Sequence, residues 1–200
     1  MEQALFKGFA RPYLLVAVVL LVVACSPRLN WRTVQSPEQK YTALFPGKPD
    51  KLDRLIPFGG QEFRQTLEAV KVDDDIYSIS SIEIPAKEVN ADLVEKIIKQ
   101  LQSNLLDRAK ASGGSVVADP AYFQNSRHQR SATTDYYVVF NGAGKAQQTM
   151  RVRWITRISD SGNAWVYQTS VLHTSADTAG AKTLLSKEEY ANFFNEFYPE

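Results

Sequence analysis

Few side chains in this 200-residue chain could form a reactive site, and their spacing decides what they can do. The single cysteine is Cys25, and the two histidines are His128 and His173. Neither histidine has a second histidine or a cysteine at the intervals that zinc sites use, so both read as surface residues and no metal ligand is assigned. Asp73, Asp74 and Asp75 are consecutive. A calcium loop alternates its carboxylates around a central glycine and ends on a bidentate glutamate, so this run reads instead as a solvated hairpin tip. No G-x-S-x-G, S-x-x-K or H-E-x-x-H occurs, which removes the local marks of the common hydrolases. Ser112-Gly113-Gly114-Ser115 closes a helical pattern rather than opening one, a poor cradle for phosphate. A triad assembled from distant residues leaves no local mark. No catalytic residue and no cofactor is assigned.

One stretch stands out from this background. Met150, Val152, Trp154 and Ile158 share one face of a strand, while Arg151, Arg153 and Arg157 take the other, with Ile155 among them. Two readings are open. The arginines form a solvated face whose charges pair with carboxylates on neighbouring strands, Asp135 among them, or they form an anion-binding surface that touches lipid or an acidic partner. Exposed ion pairs are common and contribute little.

The elements that must position these residues follow from periodicity. Alternation predicts strands over 31–35, 40–45, 52–58, 61–72 and 76–84. Gly59-Gly60 marks a two-residue hairpin turn, and the aspartate run reverses the chain once more. Leu93, Val94, Ile97, Ile98, Leu101, Leu105, Leu106 and Ala109 recur at helical spacing, which predicts a helix over 92–110 with Asp92 and Glu95 as its capping box. Strands follow over 115–123, 132–141, 145–159 and 164–173, with turns at 141–144 and 160–163 that suit antiparallel neighbours. Residues 176–181 read as a small-residue loop. The last helix is expected over 187–197, with Ser186 as N-cap, Glu189 as its partner, and Tyr190, Phe193, Phe194 and Phe197 on the buried face.

The N-terminus has a different logic. Lys7 and Arg11 precede the apolar run 13–24, and Cys25 ends it. A basic region, a short apolar run and a small residue at the cut define a secretory signal. The run is short of the ~20 apolar residues that a bilayer core needs. As a core helix it would have no amphipathic face to dock. Val22-Val23-Ala24-Cys25 resembles the lipobox of bacterial lipoproteins. That resemblance implies lipid attachment at Cys25, removal of residues 1–24, a tether over 25–30 and one domain over 31–200. At ~3.5 Å per extended residue, the five residues after Cys25 reach at most about 18 Å. The leader carries Lys7, Arg11 and Glu2, and its removal leaves cations and anions in balance. Nucleic acid, which demands a basic footprint, is not an expected partner.

Several antiparallel strands, a helix, further antiparallel strands and a closing helix make an α+β domain. This order, together with the segment Tyr41-Thr42-Ala43-Leu44-Phe45-Pro46-Gly47-Lys48-Pro49, resembles the PsbP-like family. The resemblance implies an antiparallel sheet flanked by helices and carries no site residue with it. The expected protein is a membrane-anchored envelope lipoprotein whose domain binds a ligand, or assists assembly with an envelope protein partner. A lipid-anchored hydrolase with a discontinuous active site is the alternative. Ser26 is not the aspartate that retains such lipoproteins at an inner membrane. In a two-membrane bacterium the resemblance therefore implies the outer membrane, with the domain in the periplasm.

Overall fold

The computed structural model describes residues 29–142, 147–174 and 180–200. The leader 1–24, Cys25, the first part of the tether and segments of the expected 141–144 turn and 176–181 loop lie outside them. Trp31–Glu200 forms one compact unit. Its class is α+β, dominated by antiparallel strands.

The strands form two sheets rather than the single one expected. A small sheet has the order β1 (Arg32–Ser36), β2 (Tyr41–Phe45) and β10 (Phe197–Pro199). The large sheet contains β3 (Asp50–Phe58), β4 (Gln61–Val72), β5 (Asp75–Ile84), β6 (Val116–Gln124), β7 (Arg130–Phe140), β8 (Gln148–Ile158) and β9 (Ala164–Thr174). Its spatial order is β3-β4-β5-β9-β8-β7-β6, with antiparallel neighbours throughout. The β3–β4 hairpin turns on Gly59 and Gly60 at φ 59° and 83°, the conformation a two-residue turn of this type requires.

Helix α1 (Ala91–Ala111) covers one face of the large sheet. All eight apolar positions of its stripe lie against that face: Ile97 beside Ile82, Ile84 and Val166, and Ala109 beside Val138, Val152 and Trp154. The cap differs from expectation. Asn90, not Asp92, is the N-cap, its side chain accepting the Leu93 N–H at 2.7 Å. At the other end, a Cβ on Gly114 would fall 1.8 Å from the Val139 carbonyl oxygen, so only glycine lets the chain leave α1 against β7.

The opposite face of the sheet is covered by the small sheet and two short helices, α2 (Ala181–Leu185) and α3 (Glu188–Asn195). The expected helix over 187–197 is thus shorter. Lys187 stands at its N-cap with no side-chain bond, and Ser186 ends α2. Tyr190, Phe193, Phe194 and Phe197 are all buried as the spacing implied, but Phe197 already belongs to β10, opposite Ala43. Ala181, assigned to a loop on composition, opens α2. Among the described residues no helix is long and apolar enough to cross a membrane.

Candidate functional site

The arginine face of β8 is not a surface. Alternation places Thr149, Arg151, Arg153 and Ile155 on the side that α2, α3 and the small sheet cover. Arg151 is 6% exposed and Arg153 2%. Both converge on Asp135 of β7, which the register sets opposite Arg153. Arg153 donates from Nε to Oδ1 at 2.6 Å and from Nη2 to Oδ2 at 3.0 Å. Arg151 reaches Oδ2 from Nη2 at 2.6 Å and from Nε at 3.1 Å. The Asp135 pairing was readable from sequence, but the anion-binding surface at Arg151 and Arg153 is overturned by their burial.

Two guanidiniums around one carboxylate leave a surplus positive charge in the interior. The helices absorb it. Arg151 Nη1 donates to the Leu185 carbonyl at 3.1 Å and Arg153 Nη1 to the Phe194 carbonyl at 3.0 Å. These carbonyls lie in the last turns of α2 and α3, where unpaired oxygens carry partial negative charge. The Phe194 ring lies 4.1 Å from the Arg151 guanidinium carbon, adding a cation–π contact. Every strong acceptor here is committed to holding the C-terminal helices on the sheet, so the cluster is structural.

A second polar centre lies two to four residues further along β9, beyond Thr169 and Val171, which pair with Arg153 and Arg151. His173 Nδ1 is 2.6 Å from Asp75 Oδ1, and the Tyr190 hydroxyl donates to the same carboxylate at 3.2 Å. Asp75 is 1% exposed, so the aspartate run is a solvated tip only at Asp73 and Asp74. His173, expected at the surface, is mostly buried. Thr149 pairs with His173 across the strands, and its hydroxyl is buried without a partner. His128 is exposed in the β6–β7 turn at φ 57°.

The third arginine of the stripe has a different environment. Arg157 lines a cleft of about 410 Å³ with Lys40, Ser126, Arg127, Ser159, Asp160, Ser161 and Glu200. Turns build it: the β1–β2 turn supplies Lys40, the β6–β7 turn Ser126 and Arg127, and the β8–β9 turn the two serines and Asp160. Arg127 pairs with Asp160 at 3.1 Å and Lys40 with Glu200 at 3.7 Å. Arg157 has no ion pair among the described residues, and its Nε is buried without a hydrogen-bond partner. Burial pushes the nearby Tyr167 hydroxyl far up, against the pull of the Arg157 charge. Tyr167 is therefore a neutral donor, and it donates to the Gln39 and Lys40 carbonyls. It supplies no negative charge to Arg157.

No family model matches the chain, and no curated protein matches it. Function therefore has to be argued from the cleft itself. Among the described residues no group of His, Cys, Asp and Glu is arranged to hold a metal ion. A guanidinium with an unused donor, flanked by hydroxyls, suits a carboxylate or phosphate group, whose oxygens accept from a planar fork. Arg157 was visible in the stripe, but Lys40, Arg127 and the serines were not. They converge only through three turns that are remote in sequence.

Proposed function

We propose that this chain is a lipid-anchored envelope protein whose domain works by holding an anionic group at Arg157. The observation that carries the reading is the unpaired Arg157 guanidinium in a cleft where the other two cations already have carboxylates. The lipobox-like Val22-Val23-Ala24-Cys25 supports the anchor, and Ser26, in place of an aspartate after the cysteine, supports outer-membrane placement in a two-membrane cell. The order of strands and helices supports a PsbP-like kinship as part of the same proposal.

Titration calorimetry of the full-length chain with inorganic phosphate tests the binding. The expected result is saturable binding that weakens with added salt, is lost in Arg157→Gln and is kept in Arg130→Gln, a control cation that sits over Tyr122 away from the cleft. Binding that Arg157→Gln leaves unchanged removes the proposal.

The second reading, a lipid-anchored hydrolase, is favoured by the Asp75–His173 pair, which has the orienting half of a nucleophilic triad. The Thr149 hydroxyl across from it is sealed from solvent, so a substrate would have no path to that nucleophile. Hydrolysis of an activated ester that disappears in His173→Ala, with the fold retained, would favour this reading over binding.

A further inference from the structure

We propose that the Arg157 cleft is the head-group end of a site for a single-chain lipid bearing a phosphate, whose chain lies in the apolar groove next to it. The inference rests on the anion-binding reading and names its ligand. The groove, about 660 Å³, is lined by Val89, Ala91, Val94 and Ile98 from α1 and its approach, and by Ile158 and Ala164 from the β8–β9 hairpin. Arg157 and Ile158 line both the groove and the cation cleft, so the two meet at the end of β8.

Three features of this junction point to an amphiphile. Ile158 is 65% exposed, the most exposed large apolar side chain among the described residues, and it stands beside the groove rather than packing into the core. Glu95, the acidic residue of the groove, is paired with Lys99 at 2.5 Å and so does not repel an anion at the other end. The polar end carries the unpaired Arg157 guanidinium and the Ser126 hydroxyl, donors for more than one oxygen of a phosphate, while the Ser159 and Ser161 hydroxyls bond each other at 2.8 Å and Ser159 also reaches the Asn163 carbonyl. Charge therefore sets the direction of the ligand, head toward Arg157 and chain toward Val94 and Ile98. A purely apolar partner would leave Arg157 unpaired, and a small anion would leave the groove empty.

Native mass spectrometry of the full-length chain released from a nonionic detergent tests this, with dodecyl phosphate, ethyl phosphate and dodecanol as probes. Dodecyl phosphate is expected to bind about tenfold tighter than ethyl phosphate or more, from the chain area removed from water. Ala91→Trp and Val94→Gln alter positions that line the groove and not the cleft, and both are expected to erase the advantage of the chain while leaving ethyl phosphate binding intact. Arg157→Gln is expected to weaken both phosphates. Equal binding of dodecyl and ethyl phosphate overturns the lipid assignment alone, as does an advantage that survives both groove variants. Dodecanol binding as tightly as dodecyl phosphate overturns the head-group role of Arg157. Failure of both phosphates to bind overturns the anion-binding reading as well.

Discussion

At the scale of single residues, the interior of this domain is organised by charges that have no access to water. Asp135 neutralises one of the two arginines beside it, and the α2 and α3 carbonyls meet the surplus. Removing one partner from such a set is far more damaging than replacing the whole set by apolar groups. Asp135→Asn is therefore expected to destabilise the fold by about 3–5 kcal/mol, read from urea unfolding. Glu68 is a different case, a buried carboxyl that makes no ion pair among the described residues, since Lys51 opposite it pairs with Glu38 instead. It accepts from the Tyr41 hydroxyl and, at 3.1 Å, from Ser36. Burial raises its pKa, and the Ser36 bond only partly opposes this. A carboxyl whose folded pKa lies above its unfolded value binds more protons when folded. Its contribution is fully present below the unfolded value, about 4.3 for an ordinary glutamate, and is lost as pH rises through the folded value. The stability difference between wild type and Glu68→Gln is thus expected to shift against wild type as pH rises through that window. A difference that stays flat with pH would show that Glu68 is not perturbed.

At the scale of elements, the caps and the layers show what local sequence reveals. The strands, the long helix and its apolar stripe were legible because period 2 and period 3.6 are local properties. Caps were less so, since both Asn90 and Asp92 have suitable side chains and only backbone geometry chooses between them. Asn90→Ala is expected to cost about 1 kcal/mol of stability, measured by thermal unfolding, with Asp92→Ala costing less. The covering of the arginine face was not legible at all. Alternating Arg and apolar residues on β8 match a strand with one wet face. That face is instead dry because β1, β2 and β10, from the two ends of the domain, join with α2 and α3 to cover it. The β5–β9 pairing is similarly remote, with α1 and three strands between its members. It brings Asp75 to His173, so a residue that looked like a turn tip became an interior acid.

At the scale of the whole molecule, the proposal joins a lipidated N-terminus to a domain that takes up an anionic amphiphile. The anchor and the site then have separable roles, and the anchor's role can be tested first. Each buried methylene contributes about 0.8 kcal/mol, and two chains already give stable membrane attachment. Three acyl chains on Cys25 would make the attachment effectively permanent, and the five residues that follow would keep the domain near the bilayer. Cys25→Ala removes the proposed acceptor sulfur and alters no residue of the compact unit Trp31–Glu200. The expected outcome is a chain that incorporates no labelled fatty acid and accumulates with its leader attached, while its Arg157-dependent phosphate binding stays at the wild-type level. Normal processing of this variant at the same position would rule out the lipobox. Loss of phosphate binding with the fold intact would show instead that anchor and cleft are one device.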